Sequence, residues 1–438
     1  MNLARVLGEW SSARDWGQAD RAAQIAVINS LIDTVGVALA ATRDPRLDPI
    51  DAITDGPGSA QVWGQARRSS PALAAMRNAT AAHLLDFDDV HYGIHGHPSA
   101  VLFPAVIAAA DSAGVDGATM LSGYLAGIGV MAAMNHAFGP RHYSVGWHST
   151  STCGAIGAAA AVARVWGLDA QLSAYAMSIA ASMAGGVRAN FGTVVKPMHA
   201  GFAARAGVEA ASLARAGVVP ADDALGGRFG AVAVFGDGSW SLGDPVELLR
   251  IADEAPRGLA PKLYPSCRGS HYGISAALRV RDQLAADERV WRVHITLPLG
   301  GDTGMLYEHP ATGLEAKFSA RYTVVTALLR GLPTLDHFTD EAVHDSSVQE
   351  LMRATRVRFD ASAGDLSSTM IGRFAVVEVE TSCGRVVSAR EDDPVGSPTN
   401  PLTREQVHDK FLRCTGDGTL LATLVNAPDW YRMPELCG

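Results

Sequence analysis

The chain has 438 residues, 48% hydrophobic and 18% charged, which is enough apolar material for a large core and far from a disordered composition. Acidic residues outnumber basic ones 45 to 36, a net charge of −9 with histidine neutral, and no Lys/Arg run occurs. Both facts argue against nucleic acid as a partner, because phosphate neutralisation needs clustered cations.

The opening segment, MNLARVLGEWSSARDW, reaches Arg5, Glu9 and Arg14 before any apolar run long enough for a signal peptide, so a cytoplasmic chain is expected. Segment 21–41 places Ile25, Ile28, Ile32, Val35 and Leu39 at three- and four-residue steps, the stripe of an amphipathic helix. Ala-rich helical segments follow at about 71–85, 100–113, 118–137, 153–166, 169–185 and 199–216. Gly167 and Gly217 serve as C-terminal stops. The uncharged stretch 117–140 has the length of a membrane span, but small residues at Gly123, Gly127 and Ala132 suit close helix packing, and no membrane partner is expected. Most of these segments are apolar nearly all round, so they read as interior helices of one large bundle.

The pattern changes after about residue 285. In VWRVHITL, Trp291, Val293, Ile295 and Leu297 alternate with polar residues, a half-buried strand. A strand pair is expected in FAVVEVETSCGRVVSAR, turning near Cys383 and Gly384. Short helices are expected at 319–331 and at 346–354, the latter opened by a Ser347/Glu350 capping box. A Pro/Gly/Asn linker (392–403) leads to a last helix at 403–413. The expected architecture is mainly α: a large all-α bundle (1–265 and 403–438) with a smaller α+β domain (266–402). Five widely spaced cysteines with no CxxC pair argue against a disulfide framework and a structural zinc site.

Eight of the 14 histidines fall between His83 and His199, in helical text with few charges. Polar groups in apolar helices are costly unless paired or used, so the cluster points to a cavity. The densest passage, LDFDDVHYGIHGHPS (85–99), holds Asp86, Asp88, Asp89, His91, His95 and His97. It reads either as a divalent-metal site or as a polar loop in which Asp and His orient one another, and its spacing matches no zinc signature. In RHYSVGWHSTSTCG (141–154), Ser149 to Thr152 can cap the following helix, whose N–H groups also suit an anion, while Tyr143 and His148 are acid/base candidates. In NFGTVVKPMHAG (190–201), Lys196 stands among apolar residues as a base or carboxylate anchor. PKLYPSCRGSHYG (261–273) adds Lys262, Arg268 and His271 at the expected domain junction, with Cys267 read as an inert buried thiol. GLEAKFSARY (313–322) adds Lys317 and Tyr322. The GGRFG stretch (226–230) does not lie between a strand and a helix, so it gives no phosphate-loop signal.

Taken in order, LDFDDV with HPSA, GWHSTSTCGAIGAAAA, KPMHAGFAARAGV, YPSCRGSH and GLEAKFSARY resemble the motif series of the MmgE/PrpD family. The likeness spans nearly the whole chain. That family includes 2-methylcitrate dehydratases, cis-aconitate decarboxylases and iminodisuccinate epimerases. The resemblance implies a helical domain with a smaller α+β lid, a homodimer, a small polycarboxylate substrate and no cofactor or metal. It implies Asp86, His97, His148, Lys196, His199, His271 and Tyr322 as site residues. HYSVGWHSTST, NFGTVVKPMHAG and LYEHPATGLEAKFSARY are most similar to the epimerase branch, from which Tyr143 carries over. The dehydratases carry Asp after HPS, where this chain has Ala100. The resulting expectation is acid/base chemistry next to a carboxylate, an epimerase first, with a decarboxylase or dehydratase as the alternative and an inactive helical binding protein as the contrasting class. Lys196 or His199 would serve one face of the reacting carbon and Tyr143 or His148 the other, with Asp86 orienting a histidine and Arg268 among the cations holding the developing charge.

Overall fold

Asp20 accepts hydrogen bonds from the backbone N–H groups of Ala22 and Ala23, and the helix it caps runs Arg21–Ala41. Ser70, Asp116 and Asp169 cap the helices Pro71–Leu84, Gly117–Phe138 and Ala170–Ala181 in the same way. The computed structural model describes residues 2–236, 244–367 and 369–436, and its elements are mainly α-helical. Gly167 and Gly217 take positive φ just beyond the helices Ser149–Val165 and Val195–Arg215, as expected of C-terminal stops.

Three expectations about these helices are corrected. The Ile25 stripe is not the whole buried surface: Ile32 and Val35 are fully buried as expected, but Ile25 is 48% exposed, and Val27, Ser30, Leu31, Asp33 and Thr34 outside the stripe are buried too. The cause is the returning helix Arg404–Thr415, which packs on Arg21–Ala41 with Phe411 pressed against Gly36. Ser149 to Thr152 are the first helical turn itself, and the cap position is His148. Lys196 and Pro197 likewise lie inside the first turn of Val195–Arg215 rather than before it, since Pro is well suited to that position.

Gly117–Phe138 is long and apolar enough to cross a membrane, yet 89% of its apolar window is buried among other helices. Its glycines allow that contact. A Cβ at Gly123 would stand 2.4 Å from Val165, and one at Gly127 2.7 Å from Leu102. One apolar core draws on residues from Leu3 to Leu259 and again from Leu402 to Leu436; a second runs from Tyr264 to Val387.

The second core is built on a four-stranded sheet. Val290–Pro298 pairs in parallel with Thr355–Asp360 and antiparallel with Ala375–Thr381, which pairs antiparallel with Val386–Glu391 through the turn at Gly384. Val293, Ile295 and Leu297 point inward as their alternation predicts, but Trp291 is 61% exposed. The register shifts between Val290 and Arg292, and that bulge turns Trp291 out. The helices Ala320–Arg330 and Ser346–Arg353 form where expected, although Asp345, not Ser347, caps the second. Two-residue strand pairs, including Val90–His91 with Leu259–Ala260, interrupt the helical part. Among the described residues, Cys153, Cys267, Cys383 and Cys414 are free thiols; Cys437 lies outside them.

Candidate active site

The helix Pro71–Leu84 ends at Leu85, and Asp86 then takes φ +50°, a left-handed conformation that Asp tolerates better than most residues. That turn aims the Asp86 carboxylate at Lys196, with Nζ to Oδ1 at 2.5 Å, and both groups are buried. Lys262 approaches the other oxygen at 3.3 Å and donates to the Asp86 carbonyl at 2.8 Å. Burial alone would raise the Asp86 carboxyl, but Lys196, Lys262 and His97 outweigh it and hold it well below the usual carboxylate range.

The pair opens on a cavity of about 630 Å³, its mouth included. Asp86, His95, His97, Tyr143, His148, Lys196, Cys267 and Arg268 line it, with Phe191 and Phe318 as apolar walls. Helix starts line it. His97 precedes Pro98–Ala113 and His148 precedes Ser149–Val165, and neither helix has a side-chain cap bond, so their N-terminal ends add positive potential. Thr150 Oγ1 ties the two starts together, accepting from the His97 N–H and bonding His148 Nε2 at 2.8 Å.

The imidazoles are held in place from behind. His97 Nδ1 bonds the Asp89 carbonyl at 2.8 Å, while Asp88 bridges His97 and His83. His148 Nδ1 meets His199 Nδ1 at 3.0 Å. Burial, then the Lys196 charge and neighbouring imidazoles, holds His148 well below the usual imidazole range. Burial also lowers His97, with Asp88 opposing it, and takes His199 down to about 4. All three shifts favour the neutral ring in the free protein. Burial raises the Tyr143 phenol, with Arg188 opposing from 4.0 Å above the ring. Burial pushes the Cys267 thiol up as well.

Of the residues singled out in the sequence, Asp86, His97, Tyr143, His148, Lys196 and Arg268 line the cavity. His199 stands behind His148. His271 is fully buried and accepts from Arg268 while its other nitrogen reaches the Tyr264 carbonyl, so it positions Arg268. Lys262 and Lys317 reach the turn at 85–87 from outside the cavity; Lys317 donates to the Leu85 and Pro265 carbonyls. Tyr322 is the clear correction. It packs on Phe338 in the second core and its hydroxyl donates to the His337 carbonyl, because the helix Ala320–Arg330 turns that face inward.

Sequence reasoning missed the wall formed by Thr303, Gly304, Thr369, Met370 and Arg373, which comes from turns beside the sheet and carries no spaced motif. It also missed His83, whose Nε2 is buried without a hydrogen-bond partner. The described residues that could hold a divalent ion are His83, His97 and His148, or His83, Asp86 and Asp88, with donor atoms within 4.8 Å of one another.

The profile of the MmgE/PrpD N-terminal domain matches residues 5–242, and that of the MmgE/PrpD C-terminal domain matches residues 264–419. The human protein named cis-aconitate decarboxylase is 29% identical over 367 residues, 81% of this chain and 74% of that one. Its mouse counterpart is 27% identical over 402 residues, 87% and 80% of the two chains. The Aspergillus terreus cis-aconitate decarboxylase is 24% identical over 428 residues, 89% and 84%.

Proposed function

Since the chain belongs to the MmgE/PrpD family, we propose that it is a lyase that decarboxylates a small unsaturated polycarboxylate of the cis-aconitate kind without a cofactor. The epimerase expectation gives way here, because the similar proteins carry the decarboxylase name. The observation that carries the reading is the Asp86–Lys196 pair exposed to a cavity walled by imidazoles, a phenol and Arg268.

In such a reaction the bond from the CH₂ carbon to its carboxylate breaks, and its electron pair becomes the new double bond. The old double bond takes a proton at the CH carbon, and carbon dioxide leaves, so charge and atoms balance. Lys196, held by Asp86, and the neighbouring His97 and His148 supply the proton and hold the developing carboxylate-stabilised charge, where preorganised donors contribute most. Arrival of a polyanion favours protonation of His97 or His148, which burial keeps neutral beforehand.

NMR of the purified protein with cis-aconitate in D₂O tests the reading. Itaconate carrying one deuterium on its saturated carbon is expected, and Lys196→Met should lower the rate at least about 100-fold. Unchanged cis-aconitate would discard it. Tyr143 at the same cavity favours a second reading, the two-base epimerisation of iminodisuccinate, which would appear as deuterium at Cα when iminodisuccinate is supplied instead.

The segment 266–402 is taken as a separate α+β domain whose turns at 299–304 and 369–373 act as a lid over the cavity. A homodimer is part of the proposal, supported by the exposed apolar Val195, Phe202 and Leu213 along one face of a single helix; the solution mass tests it.

A further inference from the structure

Arg373 and Arg268 line the cavity, are 6% and 3% exposed, and have no carboxylate within ion-pair distance among the described residues. Arg373 donates to neutral acceptors only. Its Nε goes to the Thr369 carbonyl at 2.7 Å and its Nη2 to Thr303 Oγ1 at 3.0 Å and the Leu366 carbonyl at 3.2 Å, while Nη1 has a long 3.4 Å contact to the Gly301 carbonyl. Of its five N–H groups, one on Nη1 is left over. Arg268 is served in the same way, by Tyr92, His271 and the carbonyls of Pro394 and Val395.

A third guanidinium, Arg188, donates to the Thr303 carbonyl, so Thr303 joins Arg188 and Arg373 with no acid between them. Its Nε is buried without a partner. Carbonyls satisfy N–H groups but leave the charge uncompensated, and buried charge is costly without a counter-ion. The lining charges are Lys196, Arg268 and Arg373 against Asp86 alone, 3 − 1 = +2, inside a protein of net charge −9.

We propose that Arg373, backed by Arg188 and acting with Arg268, is the subsite for the substrate carboxylates that do not react, and that it selects tricarboxylates over acids with fewer charges. The assignment builds on the polycarboxylate reading above and gives Arg373 a role in recognition rather than in proton transfer. Guanidinium groups are suited to it, since their fork matches a carboxylate.

Calorimetry with tricarballylate, succinate and butyrate tests this without turnover. The wild-type protein should bind tricarballylate with an affinity that falls as salt rises. R373Q should weaken it at least about tenfold and succinate by less, while R373K recovers part of the loss. A guanidinium that only ties the two turns together would weaken all three acids alike. Equal weakening, unchanged tricarballylate affinity in R373Q, or no binding by the wild type would each overturn the subsite. Tricarballylate binding that depends on Arg373 in a protein inert toward cis-aconitate would uphold the subsite and sink the decarboxylase reading alone.

Discussion

Lys410 lies with its ammonium 2.5 Å from the Asp33 carboxylate while donating to the Phe87 carbonyl at 2.6 Å, so the returning C-terminal helix holds the turn next to Asp86 from behind. It is one of four lysines in the chain, and all four are buried around that turn. Lys317 takes the carbonyl of Leu85, Lys262 that of Asp86 and Lys410 that of Phe87, while Lys196 takes the Asp86 side chain. Each comes from a different stretch of sequence. The conformation of three residues thus depends on both apolar cores and on the chain's return, which accounts for Asp86 keeping a positive φ.

Removing Lys410 should therefore cost more than a surface ion pair. In Lys410→Met the Asp33 carboxyl stays buried without its cation, a loss of about 3–5 kcal/mol in chemical denaturation at pH 8. Burial already raises Asp33 to about 6, against Lys410's opposition. A carboxyl whose folded pKa lies above its unfolded one loses stability as pH rises through that window, and the variant extends the window upward. The defect should shrink toward pH 5, and Asp33→Asn added to Lys410→Met should return part of the loss. A defect under about 1 kcal/mol at pH 8 would refute the role.

Lys317 makes a second prediction from the same turn. Burial first, with Arg46 and other lysines adding and Asp86 opposing, takes its ammonium down to about 7. Its folded pKa lies below the unfolded value, so the unfolded chain binds more protons between pH 7 and 10.5, and this group's contribution to stability rises with pH across that range. With four lysines in the chain, ε-¹³C-lysine NMR should give four resonances, one titrating near pH 7 and missing in Lys317→Met. Four resonances all titrating above pH 9 would contradict it.

The lysines also show what a sequence can and cannot disclose. Lys196 was legible because a lone lysine among apolar residues needs a reason. Lys410 was not, since REQVHDKF reads as an ordinary amphipathic helix and only the fold reveals that Asp33 awaits it. Helix bounds such as Arg21–Ala41 follow from local chemistry, the Asp20 cap and the apolar run. The burial of that helix's Asp33 and Gly36 face does not, because that is set by a segment nearly four hundred residues later. Motif residues were legible as a group, yet Tyr322 and Arg373 were misjudged in opposite directions. Tyr322 belongs to a recognisable string but packs inside the second core, whereas Arg373 stands in a turn with no periodicity and faces the cavity.

Ligand binding should draw protons from solution. Burial leads in holding His97, His148 and His199 below the usual range, and Lys196 lowers all three further. A bound tricarboxylate adds negative charge beside them and raises them again. Calorimetry of tricarballylate binding at pH 7 in buffers of different ionisation enthalpy should show uptake on the order of one proton, with affinity weakening as pH rises. Heats that do not depend on the buffer would mean that the imidazoles keep their free-state protonation.

Divalent metal offers a test that separates the proposed acid/base chemistry from metal-assisted chemistry. His83, His97 and His148 present nitrogens within 4.8 Å of one another, and Asp88 orients His83 and His97 as carboxylates do behind metal-bound imidazoles. Zinc taken up there would occupy two of the imidazoles assigned to the reaction. Added Zn²⁺ should therefore inhibit decarboxylation in competition with the substrate, and treatment with a chelator should leave the rate unchanged. His83→Asn should weaken zinc inhibition about tenfold or more while retaining turnover, because His83 does not line the cavity. Activity lost to the chelator and restored by metal would overturn the cofactor-free mechanism and assign these histidines to a catalytic ion.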